Sequence, residues 1–256
     1  MYKKIYELCS VKNAGGAHKN GLQTPPRVTW ILNLLKQNNI EFILDEFEVR
    51  RFSGNKFYNI ILPGTSGKFV TAHHDIVNPL SDNANDNSAS VINAIMTKIN
   101  SPETSVILLD GEEPPMAGVG SQRASEMMKL GEYGKVDWVL NFELTGKGGR
   151  HFFIGNYDNE LNHHIKMIFD CPVIQTPFND STIFNRNGIT STVINPLPPI
   201  RDKWESKFQR EVISYDGTPL DFSILHNCHS MDDSVETIDP KDMQDFVEGV
   251  VVKIVS

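Results

Sequence analysis

The sequence has little of three features that would place it in a specialised class of protein. Its three cysteines, Cys9, Cys171 and Cys228, lack the spacing of a metal site or a disulfide framework, so we expect free thiols. No apolar run approaches the ~20 residues of a membrane-spanning helix, and the N-terminal residues lack the apolar segment of a secretory signal. Lys and Arg number 24 against 32 Asp and Glu, which argues against a nucleic-acid-binding surface. We therefore expect a cytoplasmic protein that binds neither membrane nor nucleic acid.

The length and composition fit one globular domain. The chain has 256 residues and a net charge of -8, 39% of its residues are hydrophobic, and its mean hydropathy is -0.29. It contains no internal repeat, low-complexity tract or dividing linker. We expect a single domain over residues 1–256 and interpret the proline- and charge-rich segment 195–223 as a lid or substrate loop. The sequence does not indicate an oligomeric state.

Apolar periodicity predicts strands that alternate with helices. Strands are expected at 41–49, 57–62, 68–75, 106–109, 136–144, 151–154, 171–174 and 190–194. The first two should pair through a turn at 53–55, and 151–154 should lie at a sheet edge. Helices are expected at 24–38, 121–130, 161–169 and from 240 onward, the first capped by Thr24. The segment 85–100 begins with small polar residues and should become helical after them. This order predicts an α/β three-layer sandwich around a mostly parallel or mixed central sheet.

Polar residues stand at the points where several predicted strands end. Glu112 and Glu113 follow the apolar run 106–109 and a glycine, and their adjacent charges repel unless a cation holds them. In an open α/β sheet such strand ends can meet at a single crevice. Each residue alone has an ordinary explanation, such as a cap or a surface ion pair, but together they suit one zinc ion or a pair of zinc ions. The candidate metal ligands are His73, Asp86, Glu113, Glu143 and His229.

Five short motifs follow one another along the chain. They are His73-His74-Asp75, Asn85-Asp86-Asn87-Ser88-Ala89-Ser90, Asp110-Gly111-Glu112-Glu113, Asn141-Phe142-Glu143 and His229-Ser230-Met231-Asp232-Asp233. In this order they resemble the motifs of the M28 family of zinc-dependent exopeptidases, which are mostly aminopeptidases, and of the related glutaminyl cyclases. The resemblance covers residues 24–254 and implies a zinc exopeptidase-like fold.

The resemblance implies a centre of two zinc ions. His73 and Glu143 would bind one ion, Glu113 and His229 would bind the other, and Asp86 would bridge the two. Two Zn2+ ions per chain are therefore expected, or one if the protein is a cyclase. The implied substrate is a peptide with a free N-terminus, whose first residue is released through a metal-activated water.

The resemblance also implies roles for residues that do not bind the metal. Glu112 would be the general base, Asp75 would orient His73, and Asp233 would orient the second histidine ligand. Residues 179–189 resemble the family's Ser-Asp-His segment beside the substrate pocket. Because Thr182 replaces the histidine of that segment, only Asp180 is carried over as a substrate-pocket residue.

Two departures from the family pattern keep a second activity open. Glu143 stands where the family most often has Asp, and its longer side chain requires a slightly withdrawn backbone. The turn at 114–119 is longer than is usual in aminopeptidases, which favours the glutaminyl cyclases, single-zinc enzymes that form N-terminal pyroglutamate. The residues around Asp86 instead resemble the two-zinc aminopeptidases. We predict an aminopeptidase, with a glutaminyl cyclase as the alternative. A binding domain that has lost its metal is disfavoured because all five positions keep ligand side chains.

Overall fold

A mixed sheet of nine strands forms the centre of the described chain. The computed structural model describes residues 1–12, 18–19, 24–52, 54–200, 213–214 and 216–256. The strands are β1 (His18–Lys19), β2 (Ile43–Glu48), β3 (Asn55–Leu62), β4 (Lys68–His73), β5 (Ser105–Leu109), β6 (Trp138–Phe142), β7 (Phe152–Gly155), β8 (Val173–Ile174) and β9 (Ser191–Pro196). Their order across the sheet is β1-β3-β5-β4-β6-β9-β7-β8, and β2 also pairs with β3.

The central strands of this sheet run parallel. β5, β4, β6 and β9 are neighbours with parallel pairing. β3 runs antiparallel to both β2 and β5, and β7 runs antiparallel to β9. Because parallel strands end at the same edge of a sheet, the residues that follow β4, β5 and β6 lie close together. The candidate site lies at this edge.

Helices cover both faces of the sheet. They are α1 (Ile5–Ser10), α2 (Pro26–Gln37), α3 (Ala89–Asn100), α4 (Val119–Lys129), α5 (Glu160–Phe169), α6 (Asp180–Arg186), α7 (Pro240–Phe246) and α8 (Val252–Val255), with a π-helical turn at Val247–Val251. Short 3-10 turns lie at Tyr2–Lys4, Arg50–Phe52, Ser223–Asn227 and Val235–Thr237. Apolar residues of α4 and α6 pack on one face, and those of α1, α2, α3, α5 and α7 pack on the other. No helix of the described ranges is both long and apolar enough to cross a lipid bilayer.

Strand β5 illustrates how the sequence encodes this layering. All five of its residues are buried. Val106 and Leu108 belong to the larger core on one face, whereas Ile107 and Leu109 belong to the core beneath α4 and α6. A strand that is covered on both faces is apolar throughout instead of alternating. The predicted three-layer α/β sandwich with a mixed sheet is therefore confirmed.

Two predicted elements differ from the structure in detail, and a third agrees with it. Helix α2 begins at Pro26 with Pro25 as its N-cap and no side-chain cap, so the capping role predicted for Thr24 is wrong. The segment 85–100 has the predicted course, since its first polar residues form an irregular turn and helix α3 begins at Ala89. Strand β7 is not at the sheet edge, since the two-residue strand β8 pairs on its outer side.

The segment predicted as a lid differs from the structure at its start. Residues 195 and 196 belong to β9, so the irregular segment begins later than predicted. Residues 201–212 and 215 lie outside the described residues, as does residue 53 of the predicted turn. The role of 195–223 as a lid or substrate loop stays a prediction.

The core role of β5 can be tested by truncating Leu108, which is fully buried. Leu108→Ala should lower the free energy of unfolding by about 2–5 kcal/mol, since it removes apolar contacts and leaves a cavity. The matched control is Leu130→Ala, because 72% of Leu130 is exposed just after α4 and its truncation should cost no more than about 0.5 kcal/mol. Urea unfolding followed by circular dichroism measures both, and equal losses would contradict the prediction.

Candidate metal centre

Three parallel strands bring ligand-type side chains to one edge of the sheet. His73 is the last residue of β4, Glu113 follows β5, and Glu143 comes directly after β6. Asp86 lies in the irregular turn before α3, and His229 lies in the loop before α7. His229 has a φ of 61°, in the left-handed region, and such strained residues cluster at functional sites. The structure brings the five predicted ligands together.

Asp86 lies between the two histidines. Its Oδ1 is 3.3 Å from Nε2 of His73, and its Oδ2 is 3.3 Å from Nε2 of His229. An oxygen of Glu143 lies 3.5 Å from the same nitrogen of His73, and an oxygen of Glu113 lies 3.0 Å from that of His229. The side chains therefore form two groups, each with one histidine and one glutamate, and the two groups share Asp86.

The unpaired polar atoms of this cluster fit a metal ion. Both carboxylate oxygens of Glu113 are buried without a hydrogen-bond partner in the described structure. The imidazole and carboxylate groups thus approach one another without hydrogen-bond alignment, an arrangement suited to ligands that face a common ion. Three ligand atoms, one from each of His73, Asp86 and Glu113, lie within 4.8 Å of one another. Histidine and carboxylate donors of this kind suit Zn2+.

The cluster carries more negative charge than its histidines can balance. Burial raises the pKa of Glu113 to about 8, and repulsion from Asp86 adds to this effect. Burial also raises the pKa of Glu112 well above its usual value, and the charge of Asp180 raises it further. A bound cation would offset this cost directly. The carboxylates of the cluster are Asp75, Asp86, Glu112, Glu113, Glu143 and Asp180.

The two histidines hold protons tightly in the absence of metal. Burial alone would lower the pKa of His73, but Glu143 and the contacts with Asp75 and Asp86 outweigh it and raise that pKa well above its usual value. The contact with Asp86 raises the pKa of His229 to about 9, against the opposing effect of burial. Metal binding must displace such protons, because only the neutral imidazole is a ligand.

Asp75 joins the end of β4 to the two glutamates after β5. Its Oδ1 accepts a hydrogen bond from the backbone N–H of Glu112 at 3.2 Å, and its Oδ2 accepts one from Glu113 at 3.0 Å. The same Oδ1 lies 3.4 Å from Nδ1 of His73, on the side of the ring away from Asp86. Asp75 therefore lies beside His73, and its role in orienting that histidine stays a prediction.

Asp233 holds the turn that carries Asp86. Its two oxygens accept hydrogen bonds from the backbone N–H groups of Asn85 at 2.7 Å and of Asp86 at 3.0 Å. Among the described residues it has no hydrogen bond to His229, the histidine that it was predicted to orient. Asp233 lies four residues after that histidine, so it links the loop of one ligand to the turn of another.

Two asparagines that sequence reasoning missed orient Glu143. Nδ2 of Asn87 donates to one carboxylate oxygen and Nδ2 of Asn141 donates to the other, each at 3.0 Å. Asn141 in turn accepts a hydrogen bond from Thr71 at 2.8 Å. A signal was present, because an amide inside the apolar strand β6 must find a polar partner. The pair fixes the longer glutamate side chain where the family usually has Asp.

Asp180 lies at the first turn of α6 and is fully buried. Burial, followed by repulsion from Glu143, raises its pKa to about 7. Counted from Asp180, the histidine of that motif falls at Ser181, and not at Thr182 as predicted. Thr182 accepts a hydrogen bond from the backbone N–H of Asn179 at 3.4 Å and so belongs to the cap of α6. The structure therefore keeps Asp180 near the general-base candidate Glu112 and gives Thr182 a helix-capping role.

A cavity of about 460 Å³ opens beside the ligand cluster. The predicted ligands and Glu112 line one side of it. Apolar side chains form much of the remainder, and they include Pro114, Leu144, Phe153, Val193 and Leu225. A concave apolar cavity with a few converging polar groups has the form of a small-ligand site.

The sequence profile of peptidase family M28 matches residues 62–253, which is most of the chain. The chain belongs to peptidase family M28. This membership confirms the resemblance inferred from the five motifs and the predicted enzyme class, a metallo-exopeptidase. The zinc dependence of the family and the His, Asp and Glu cluster together support zinc as the metal. No curated protein matches the sequence.

Solved structures with the same fold include aminopeptidases and a glutaminyl cyclase. The LapA aminopeptidase of Legionella pneumophila is 14% identical, with 99% of this chain and 68% of LapA covered and a TM-score of 0.67. The glutaminyl cyclase of Porphyromonas gingivalis is 16% identical, with 99% and 95% covered and a TM-score of 0.69. The zinc aminopeptidase BSAP of Bacillus subtilis is 19% identical, with a TM-score of 0.57. The match covers 80% of this chain but only half of BSAP. At these identities the likeness shows the fold.

Metal binding at this cluster should release protons. In the metal-free protein the pKa is about 8 for Glu113 and about 9 for His229, so this neighbouring pair holds at least one proton at pH 7 that a metal must displace. Each proton released contributes about tenfold for each pH unit, so the affinity for zinc should rise by at least about tenfold for each pH unit between pH 6 and pH 8. Competition with a chromophoric chelator, corrected for the chelator's own protonation, measures this slope. An affinity that does not change with pH would contradict the prediction.

Proposed function

We propose that this chain is an aminopeptidase that binds two zinc ions and releases the first residue of peptides with a free N-terminus. The observation that carries the proposal is the position of Asp86 between two histidines. His73 and Glu143 would hold one ion and His229 and Glu113 the other, with Asp86 shared. A single-zinc enzyme needs only one of these groups, so the presence of a second histidine and a second glutamate beside Asp86 supports a second ion.

Glu112 is the proposed general base. Its backbone N–H is held by Asp75, and its side chain lines the cavity next to Glu113. When bound, zinc would acidify a water molecule and polarise the scissile carbonyl. Glu112 would accept a proton from the attacking water and donate it to the leaving nitrogen as the C–N bond breaks. The raised pKa of Glu112 suits a group that must hold a proton between these two steps.

The cavity favours substrates with an apolar first residue. A side chain such as leucine would contact apolar walls that include Phe153 and Leu225. A charged side chain in the same place would lose hydration without gaining a partner. The free α-amine of the substrate would be held by carboxylates beside the metals, which restricts cleavage to the end of a peptide.

Glutaminyl cyclase activity is the alternative function. The shared fold with the cyclase of Porphyromonas gingivalis, over 95% of that chain, and the long turn at 114–119 favour it. A cyclase would use the amine of an N-terminal glutamine as the nucleophile and would not need an attacking water. Activity on glutamine peptides and on leucine peptides therefore separates the two functions.

A cytoplasmic location is part of the proposal. It rests on Cys9, Cys171 and Cys228, which are unpaired in the described structure. Free thiols of this kind are typical of a reducing compartment.

Metal content and substrate choice test the proposed function directly. Purified protein should contain close to two zinc ions per chain and hydrolyse leucine anilide faster than glutamate anilide, and a chelator should abolish the activity. Elemental analysis and absorbance assays before and after chelation measure these properties. One zinc ion with cyclisation of glutamine peptides and no hydrolysis would establish the alternative. Protein that binds no added zinc would contradict both functions.

The general base can be separated from the metal ligands by Glu112→Gln. This variant should keep the metal content of the wild type and lose activity by about 10²- to 10⁴-fold, because proton transfer is lost while the ligands remain. Glu132→Gln is the matched control, since Glu132 is exposed after α4 and its substitution should leave the rate unchanged. Near-normal turnover of Glu112→Gln would show that another group is the base.

A further inference from the structure

A buried arginine joins the N-terminal helices to the metal-binding segments. Arg27 lies in the first turn of α2 and is fully buried. Its Nε donates to the carbonyl of His74 at 2.5 Å, one Nη donates to the carbonyl of Leu8 at 3.1 Å, and the other donates to Oγ of Ser88 at 2.6 Å. The rigid, planar guanidinium holds these three acceptors in a fixed geometry, which a flexible ammonium group does not.

Two of these acceptors lie next to the proposed metal ligands. His74 directly follows His73, and Ser88 comes two residues after Asp86. One side chain therefore spans the end of β4 and the irregular turn before α3. Nε2 of His73 and Oδ1 of Asp86 lie 3.3 Å apart, and a shift of one segment against the other would change this separation.

Arg27 completes a set of links around the ligands. Asp75 links the end of β4 to the glutamates after β5. Asp233 links the loop of His229 to the turn of Asp86. Arg27 supplies the remaining link, from the end of β4 to that same turn.

The charge of Arg27 also suits its position. Burial lowers its pKa to about 10, and Cys9 and Asp75 oppose this shift, so the guanidinium stays protonated at neutral pH. Arg27 and Asp75 are both fully buried, and the positive charge of Arg27 interacts with the carboxylate of Asp75. Arg27 precedes the residues 62–253 that match the family profile.

We propose that Arg27 is a positioning residue for the metal centre. By fixing the end of β4 against the turn before α3, it holds His73 and Asp86 at the separation that a shared ion requires. The N-terminal helices thereby contribute to metal affinity, although they lie outside the family match. This inference rests on the proposed ligands and goes beyond them.

Arg27→Met tests the inference, with cobalt as a spectroscopic substitute for zinc. The variant should bind Co2+ about tenfold or more weakly, as expected when a partner of metal ligands is lost. It should also show a changed visible spectrum and, at saturating metal, a lower kcat with a nearly unchanged KM. Arg27→Lys keeps the charge but only part of the contacts, so its affinity should be intermediate. Ser88→Ala removes one contact of Arg27 and should weaken Co2+ binding by less than Arg27→Met does. If Arg27→Met does not fold, Ser88→Ala takes its place, and a wild-type Co2+ affinity in that variant would overturn the inference.

The matched control is Lys98→Met. Like Arg27, Lys98 is a cation that donates to three acceptors, the backbone carbonyls of Pro63, Pro102 and Thr104. It is partly buried and lies at the opposite end of β5 from the metal centre. Its loss should lower stability but leave cobalt affinity and the spectrum unchanged. The inference is overturned if Arg27→Met binds cobalt like the wild type, or if Lys98→Met weakens binding equally. Wild-type protein that binds no cobalt would instead overturn the proposed function, and with it this inference.

Discussion

Repulsion among buried carboxylates is the constraint on which the rest of this structure depends. Parallel strands β4, β5 and β6 end at one edge, and each is followed by acidic residues. Six carboxylates meet there with two imidazoles. Such a cluster costs folding free energy unless positive charge is present among the acids. The fold brings the acids together, and their charge in turn makes the cluster a strong site for a cation.

The protein orients these acids mainly with backbone and amide donors. Asp75 and Asp233 accept from backbone N–H groups, and Glu143 accepts from two asparagine side chains. Neutral donors fix a carboxylate without neutralising it, so its charge stays available to a metal. The fully buried Arg27 reaches the segments of the ligands through the carbonyl of His74 and the hydroxyl of Ser88.

Much of the fold and most of the ligand set could be predicted because both depend on local signals. Apolar strands covered on two faces, such as β5, are continuous in sequence, and their polar ends mark one edge of the sheet. The contacts of Asn87 and Arg27 could not be predicted, because each joins segments that are distant along the chain. Asn141 did carry a signal, since it is an amide inside an apolar strand, two residues before Glu143. The contacts of Asp233 could not be predicted for the same reason. It was expected to orient His229, four residues before it, but it accepts hydrogen bonds from the distant turn of Asp86.

The position of His229 after all nine strands has a consequence for the order of events during synthesis. Four of the five proposed ligands are made before β7, whereas His229 is made only after β9. Apolar residues of α7 and α8, which complete the larger core on one face of the sheet, are also made after His229. The last ligand and the last part of the core therefore become available together, so the packed sheet and the complete metal centre both form late.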